Sequence, residues 1–517
     1  MTILRKRILP AVLSLVMALT MLMALPTAAH AVDPDIPVAT KNYDLYVRND
    51  VAFTVAIGDV ATGIDSVTDT TNSHTLGAGA YSYAGSTLSI LNAYLSTLTL
   101  TAGNSVNFEV EFDDGTIVTI TVNVIDTTPV CEIVGGAQYA TINAALAAVA
   151  NGQTIRLITD VTLVDNLAFS NGKTFTFNTN GKTLDFDGYC LFIDNATKVT
   201  INGCANLADL QYINVTGNGT EAVLNGNLML DDFLWVGEKA RATINGNISV
   251  LVKDALSITD EAVVTMNGNI TAGDTGVILS GNSPVLIMNG NIQGDYCGLW
   301  VSSFGEGWTE NASATITGNV RGGEYGIFAR ECDGSVINVD GNVVSGDVGI
   351  YGAHSDTIIG VTGNVTAGYL GIEAWDDVRI AVRGNIVVTE TNNTDLNCGV
   401  FAGFGAQVTV DGTITAPNYV GFYILGADPL GGDPWYYYVG ADDITVPTLL
   451  PGYHQYDDEG AYDMTTSFVW VKFDAFILPQ TPGTGDGGAL WLLIGALLVV
   501  ALGCGSVLVY RRRSRKA

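Results

Sequence analysis

The chain has 517 residues, of which 48% are hydrophobic, so it is long enough for two or three domains and too apolar to be disordered overall. Outside the first 31 residues and the last seven it carries 14 Lys and Arg against 52 Asp and Glu, so that segment has a net charge near 14 − 52 = −38. Such a surface repels nucleic acid and anionic lipid head groups. We therefore exclude nucleic-acid binding and retain neutral glycans, cations or simple solubility as explanations of the charge.

Residues 1–31 have the pattern of a secretory signal peptide. The basic residues Arg5, Lys6 and Arg7 precede an apolar run that ends at Leu25, and Ala29-His30-Ala31 is a small-x-small cleavage site. We expect cleavage after Ala31 and export of the remaining chain.

Residues 40–127 alternate between apolar and polar residues in short runs separated by turn residues, which predicts a β-sandwich. The stretches Tyr81-Ser-Tyr-Ala-Gly-Ser-Thr-Leu-Ser-Ile90 and Asp113-Asp-Gly115 resemble the immunoglobulin-like X-two modules of bacterial glycan-degrading and surface proteins. The resemblance implies an immunoglobulin-like module that acts either as a spacer or as a polysaccharide-binding domain.

A helix is predicted over residues 141–150, at the start of a second domain that spans 136–425. Thr141 is a suitable N-cap, and Ile142, Ala145, Leu146 and Val149 share one helical face. The strand pattern that follows begins at Thr154. A helix in this place would cover the open strand edge of the first coil.

Between Gly226 and Gly412 the motif apolar-x-apolar-x-Gly-Asn-apolar recurs every 20 to 28 residues. A second short strand, such as Gly276-Val-Ile-Leu279, follows each motif without an intervening helical pattern. Each coil can bury its apolar face only by stacking on its neighbours, which predicts a right-handed parallel β-helix of roughly a dozen coils. The helix at 141–150 followed by these coils resembles the pectin-lyase-like β-helices. The resemblance is one of architecture and includes no catalytic motif.

One asparagine follows each motif glycine, and we interpret the set as a turn-stabilising ladder of amides rather than as ligand contacts. The members are Asn227, Asn247, Asn269, Asn291, Asn319, Asn342, Asn364 and Asn385.

Four acidic residues, Asp274, Asp295, Glu324 and Asp347, each come shortly before the glycine of a second strand. Stacked carboxylates repel each other by roughly 1 kcal/mol per neighbouring pair in a water-like dielectric. They therefore either extend into solvent or hold a cation, and calcium is the ion that accepts six to eight oxygen ligands. Calcium is the one cofactor that the sequence suggests.

The sequence contains no convergent acid and base cluster of the kind that lyases and hydrolases need. The one stretch of mixed charge surrounds Glu324, with Arg321, Arg330 and Glu331 close by. Among the cysteines, only Cys190 and Cys204 are considered as a disulfide pair, and the others are interpreted as small buried hydrophobic residues.

Residues 426–476, which contain Trp435-Tyr-Tyr-Tyr438 and Trp470, are predicted to cap the last coil, with exposed aromatic platforms for sugar rings as the alternative. Residues 477–488 contain the motif Leu478-Pro479-Gln-Thr481 and a Gly-rich spacer. Residues 489–510 are long enough and apolar enough for a transmembrane helix. Residues 511–517 are then a basic cytoplasmic tail.

This ending resembles the sorting signal of Gram-positive surface proteins, in which a Leu-Pro-x-Thr-Gly motif precedes an apolar span and a basic tail. The resemblance implies cleavage after Thr481 by a sortase and attachment to cell-wall peptidoglycan. Pro482 stands where the family has glycine, and proline lacks an N–H. Retention by the membrane span is therefore the alternative to wall attachment.

Together these features predict an all-β protein anchored at the outer face of the cell wall or membrane. Its predicted role is structural or adhesive, displaying a β-helical rod to glycans or to a host surface. The alternative is a surface polysaccharide lyase or glycoside hydrolase on the same scaffold. Because no acid and base cluster is found, the sequence favours the non-enzymatic role.

Overall fold

The fold was described from a computed structural model that covers residues 32–302, 308–354, 356–390, 397–424, 435–445, 448–458 and 466–473. The chain is all-β, with about 3% helix and a β-solenoid of about 12 turns. It divides into two compact units, Met1–Gly346 and Asp347–Ala517. The predicted β-helical repeat is confirmed.

The first part of unit 1 consists of two small sheets that share one hydrophobic core. Phe53, Phe108 and Phe112 are among its fully buried side chains. One sheet contains, in spatial order, Thr40–Asp44, Ile117–Ile125, Ser105–Phe112, Ile64–Asp69 and His74–Thr75. The other contains Val51–Thr54, Thr87–Ile90 and Tyr81–Ala84, and a short helix, α1, spans Asn92–Leu95. The immunoglobulin-like resemblance itself remains a prediction.

Helix α2 spans Ile142–Ala148, slightly shorter than the predicted 141–150. Thr141 is its N-cap and accepts a hydrogen bond from the backbone N–H of Ala144 at 3.1 Å. The strands Cys131–Ile133 and Gln138–Tyr139 run antiparallel beside it, and Cys131–Ile133 pairs with the first coil strand, Thr154–Leu157. The exposed edge of that strand is therefore paired rather than open to another chain.

Each coil contributes strands to three parallel sheets, which we name sheet 1, sheet 2 and sheet 3 in the order in which the chain visits them. In unit 1, sheet 1 contains Thr154–Leu157, Thr174–Asn178, Lys198–Asn202, Glu221–Asn225, Arg241–Asn245, Val263–Asn267, Val285–Asn289, Ser313–Thr317 and Val336–Asp340. Sheet 2 contains Leu228–Leu230, Ile248–Val250, Ile270–Ala272, Ile292–Gly294, Val320–Gly322 and Val343–Ser345, preceded by a separate set of Val161–Thr162, Leu184–Asp185 and Leu207–Ala208. Sheet 3 contains Leu167–Phe169, Leu191–Ile193, Ile213–Thr216, Leu234–Gly237, Leu256–Thr259, Thr275–Ser280, Cys297–Val301 and Tyr325–Ala329.

The sequence predicts two strands per coil, and the structure has three. The additional strand, in sheet 2, is only two or three residues long and directly follows the Gly-Asn turn. Within Ile248–Val250 the outer two residues are buried and Ser249 is partly exposed. Buried and exposed residues therefore alternate as expected for a strand, but three residues are too few for this alternation to be recognised in the sequence.

Unit 2 repeats the same arrangement over fewer coils. Its sheet 1 contains Ile358–Val361, Arg379–Val382 and Gln407–Val410, followed by Phe468–Lys472 and the antiparallel Tyr453–Asp457. Its sheet 2 contains Val365–Ala367, Ile386–Val388 and Ile414–Thr415. Its sheet 3 contains Val348–Ala353, Leu370–Trp375, Cys398–Ala402, Asn418–Ile424 and the antiparallel Trp435–Val439.

The asparagine ladder predicted at the Gly-Asn turns is present within each unit. The side-chain oxygen of Asn269 accepts the backbone N–H of Asn291 at 2.9 Å, and that of Asn291 accepts the N–H of Asn319 at 2.8 Å. In unit 2 Asn364 accepts the N–H of Asn385 at 2.8 Å. The amides thus satisfy turn N–H groups from one coil to the next.

A second ladder, which the sequence analysis did not single out, ends the strands of sheet 1 in unit 1. Its amide nitrogens donate to the side-chain oxygen of the preceding coil at 2.8 to 2.9 Å. The members are Asn202, Asn225, Asn245, Asn267 and Asn289. Two parallel files of amides therefore flank the same corner of the solenoid.

All six described cysteines are buried, and the considered pair of Cys190 and Cys204 does not form a disulfide. The Sγ of Cys190 lies 3.4 Å from Oε1 of Gln211, and the Sγ of Cys204 lies 3.7 Å from the carbonyl oxygen of Ile201. Burial raises the pKa of the Cys204 thiol to about 12. These thiols act as small core residues.

The signal peptide up to Ala31, the sorting residues Leu478, Pro479 and Thr481, and the predicted span 489–510 lie outside the described residues. Among the helices that the structure does describe, none is both long and apolar enough to cross a bilayer.

Candidate functional site

Four aromatic side chains form a group on sheet 3 of unit 1, and we call Tyr296, Trp300, Tyr325 and Phe328 the Trp300 group. Trp300 pairs with Phe328 across adjacent strands, on the side opposite the fully buried Leu299. Their rings are stacked, with centroids 4.1 Å apart and planes 20° apart. The ring of Tyr325 meets that of Phe328 edge-on at 5.0 Å, and Tyr296 lies 6.2 Å from Trp300.

The register of the parallel strands brings these rings together. Residues that pair in register on adjacent parallel strands project from the same face of the sheet. Aromatic residues at paired outward positions therefore lie side by side. Phe328 is almost fully buried, whereas Trp300, Tyr296 and Tyr325 are partly exposed. The group therefore presents a partly exposed aromatic surface in which the ring of Trp300 is supported by the buried ring of Phe328.

A cavity of about 260 Å³ lies at the turn from sheet 2 to sheet 3, and its lining reaches to one residue before Tyr296. Its side-chain lining is mostly polar, and Gln293 and Arg321 are neighbours on adjacent strands of sheet 2. The lining residues are Gln293, Gly294, Asp295, Arg321, Gly322, Gly323, Val344, Ser345 and Gly346. Asp295 directly precedes Tyr296, so the cavity and the Trp300 group share one turn of the chain.

Glycine is required at the floor of this turn. A Cβ on Gly322 would collide with the carbonyl oxygen of Tyr325, and a Cβ on Gly323 would collide with the carbonyl oxygen of Asp295. Any other residue would distort the turn at Gly322 and would force adjacent coils apart at Gly323. The close stacking of these turns thus leaves the cavity to be lined by side chains from the flanking positions.

The side chains at the cavity include an exposed cation and a buried hydroxyl. No carboxylate of the described residues forms an ion pair with the exposed guanidinium of Arg321. The hydroxyl of Ser345 is buried and has no hydrogen-bond partner within the described chain. A buried hydroxyl without a partner costs free energy, which a ligand or a water molecule can recover.

The structure places Asp274, Asp295 and Glu324 near this site, but in a different register from the predicted one. The backbone N–H of Tyr296 donates to the carbonyl of Asp274 at 3.0 Å, and its carbonyl accepts the N–H of Glu324 at 2.8 Å. Tyr296 therefore occupies the position between Asp274 and Glu324, and Asp295 precedes it by one residue. Burial and the charges of Glu324 and Asp274 raise the pKa of the Tyr296 hydroxyl.

Asp347 belongs to unit 2, where its carbonyl oxygen accepts the backbone N–H groups of Tyr369 and Leu370. Among the residues that the structure describes, no group of three or more His, Cys, Asp or Glu side chains is arranged to hold a metal ion. Calcium binding by Asp274, Asp295, Glu324 and Asp347 therefore stays a prediction. In the stretch of mixed charge, Arg330 pairs with its neighbour Glu331 at 3.6 Å, and Arg321 lines the cavity.

Sequence reasoning missed the Trp300 group and the polar residues Gln293 and Ser345. The signal was present, because Trp300 and Phe328 each stand two places after the glycine of a second strand. Aligning those strands by their glycines would have placed the two rings side by side.

No protein family, curated protein or solved structure matches the chain.

Proposed function

We propose that the protein binds glycans through the Trp300 group and the adjoining polar cavity. The observation that carries this proposal is the shared turn at Asp295 and Tyr296, which sets an aromatic surface beside a cavity lined by Gln293, Arg321 and Ser345. Sugar rings have apolar C–H faces that pack on aromatic rings and equatorial hydroxyls that bond to planar polar side chains. An aromatic wall with a few convergent polar groups is the usual form of a small-molecule site.

The size and charge of the cavity fit one sugar unit of a neutral glycan. A volume of about 260 Å³ accommodates a monosaccharide and little more. Arg321 donates hydrogen bonds, Asp295 accepts them, and Gln293 does both. Adjacent hydroxyl groups of an uncharged sugar can therefore form hydrogen bonds with these side chains. The remaining sugar units of a longer chain would lie across the exposed rings.

The proposal is tested by screening the purified protein on a glycan array and measuring the affinity of the best ligand by calorimetry. Trp300→Ala and Arg321→Gln should each weaken binding by at least roughly tenfold, because aromatic and arginine anchors dominate binding energy. Arg241→Gln, which changes an exposed arginine on sheet 1, is the matched control and should bind normally. Equal affinity of all three variants and the wild type would contradict the proposal.

The same assay separates binding from catalysis. If the protein releases unsaturated or reducing ends from its ligand, the enzymatic alternative replaces the adhesive one. Intact ligand recovered after long incubation supports a binding role.

We further propose that the rod is displayed at the cell surface through the sorting motif at Leu478, Pro479 and Thr481, with peptidoglycan as the covalent partner. The support is the succession of motif, apolar span and basic tail in the sequence. Release of the protein by muralytic enzymes and not by detergent is the expected result. Extraction by detergent alone would show membrane retention, and Pro482→Gly should then shift the protein to the wall.

A further inference from the structure

A glutamate stands on the aromatic face of sheet 3 in unit 2. Glu373 lies on the strand Leu370–Trp375, where it pairs with Tyr351 on one side and with Phe401 on the other. Its neighbours Ile372 and Ala374 are fully buried in the solenoid interior, so the carboxyl group is on the opposite side of the sheet. The side chain is itself only partly exposed.

The carboxyl group of Glu373 is fixed by a tryptophan. Nε1 of Trp375 donates a hydrogen bond of 2.9 Å to Oε1 of Glu373. The ring of Trp375 in turn contacts those of Phe401, Phe404 and Tyr423, at centroid distances of 5.4, 5.7 and 5.2 Å. We call these four rings the Trp375 group.

The rings of the Trp375 group are too close together to enclose a ligand. Phe404 and Tyr423 also lie only 5.2 Å apart, a distance at which aromatic rings are in contact. A group that binds here must therefore lie on the outer surface of the rings, beside the carboxyl group.

Burying the carboxylate of Glu373 costs free energy, and the hydrogen bond from Trp375 does not require a charged acceptor. Burial raises the pKa of Glu373 above its usual range, the Trp375 hydrogen bond opposes this, and the charge of Asp347 adds to it. A glutamine would accept the same bond from Trp375 without the cost of burying a charge. A protonated amine beside the carboxylate would offset this cost through a charge-assisted hydrogen bond.

The surrounding charges also favour a cation. Asp376 and Asp377 follow Trp375. Burial raises the pKa of Asp377, the charges of Asp376 and Asp356 add to the rise, and Arg379 opposes it. Burial is the largest cause of that rise. Acidic groups therefore outnumber basic ones beside the rings.

We propose that Glu373 and the Trp375 group bind an amino sugar that carries a protonated amine. The ammonium pairs with the Glu373 carboxylate, and the C–H face of the ring lies on Trp375, where the aromatic quadrupole adds attraction for the cation. The inference extends glycan binding to a second site in unit 2, and it does not require the site at Trp300 to exist.

The test uses short oligomers of glucosamine and of N-acetylglucosamine. The two share the same sugar ring, but the nitrogen is a protonated amine in the first and a neutral acetylated amide in the second. The purified protein should bind the glucosamine oligomer, and the N-acetylated oligomer should bind at least roughly tenfold more weakly, as expected for loss of a charge-assisted hydrogen bond. Glu373→Gln should weaken binding of the glucosamine oligomer by a similar factor.

Glu390→Gln is the matched control, because it removes one exposed carboxylate from the same unit and leaves the rings untouched. It should bind glucosamine oligomers as the wild type does. Equal binding of the two oligomers, equal binding by Glu373→Gln, or no binding of the glucosamine oligomer would each overturn the proposal. The same comparisons are made in a Trp300→Ala background, which disables the proposed site in unit 1, so that failure here is distinguishable from failure of that site.

Discussion

The side-chain oxygen of Asn247 accepts a hydrogen bond from the backbone N–H of Asn269, one coil later, at 2.8 Å. The same bond recurs at each Gly-Asn turn described in unit 1 from Asn227 to Asn342. Each amide thus tethers the next coil, and removing one should weaken the stack locally.

Asn269→Ala removes the acceptor for both the backbone N–H and the side-chain amide of Asn291. Because the ladder is exposed and water can replace the lost partner, we expect a loss of about 1 kcal/mol in the free energy of unfolding. Denaturant titration measures this loss. Asn218→Ala, at an exposed turn residue whose side chain makes no hydrogen bond within the described chain, is the control and should change stability little.

Gly268→Ala should be more damaging than the loss of any ladder amide. Gly268 has a φ of +153°, and a Cβ there would collide with the carbonyl oxygen of Gly246. We expect a loss on the order of 3 kcal/mol in unfolding free energy. Gly181→Ala is the matched variant, since its φ is +73° but nothing lies within 4 Å of the added Cβ.

Gly181→Ala should therefore show only the cost of the left-handed backbone, about 1 kcal/mol. If both variants lose the same stability, the contact between stacked turns contributes nothing and the backbone conformation explains the whole effect. The comparison uses the midpoint and slope of the same denaturant titration.

The pKa of Glu373 predicts a pH dependence of stability. Burial raises the folded-state pKa above the ordinary glutamate value of about 4.3, so between these two values the folded chain binds more protons than the unfolded one. Stability is then highest below the ordinary value and falls as the pH rises through the folded-state pKa. Glu373→Gln should remove this fall.

The measurement is the difference in unfolding midpoint between Glu373→Gln and the wild type across a pH series. The difference should grow in favour of the variant as the pH rises. Because both proteins share every other titrating group, a difference that stays constant with pH would show that the pKa of Glu373 is not raised.

The calcium prediction for Asp274, Asp295, Glu324 and Asp347 has a direct test. An ion that binds only the folded state raises the unfolding midpoint by mass action. The combined change of Asp295→Asn and Glu324→Gln should then abolish the calcium-dependent rise. A midpoint that calcium leaves at the level of a matched ionic-strength control identifies these residues as solvated turn acids.

The repeat could be predicted from sequence because its determinants are local and periodic. Gly268 and Asn269 occupy positions that recur at a nearly fixed spacing, and Thr141 stands at the start of an amphipathic helical pattern. Each of these features follows from a few neighbouring residues, and stacking repeats it from coil to coil.

The candidate sites could not be predicted in the same way, because their members come from different coils. Trp300 and Phe328 are 28 residues apart in sequence and meet only through the strand register. Thr275, Cys297 and Tyr325 pair in register and each directly precedes the glycine of its strand, whereas Asp295 stands one residue further from that glycine than Asp274 and Glu324 do. The one additional residue before Cys297 was therefore enough to place Tyr296 where an acid was expected.

The two ladders also determine where the chain can change in length. The interval from Gly290 to Gly318 is long because the extra residues fall between sheet 3 and sheet 1, after Val301 and before Ser313. The other long interval, from Gly384 to Gly412, has its extra residues between Val388 and Cys398, where the chain passes from sheet 2 to sheet 3. The Gly-Asn corner keeps constant length in both, since an insertion there would break the ladder at the Gly-Asn turns. New loops grafted onto this scaffold should therefore be tolerated at the other two corners, which makes the solenoid a natural frame for displaying foreign segments.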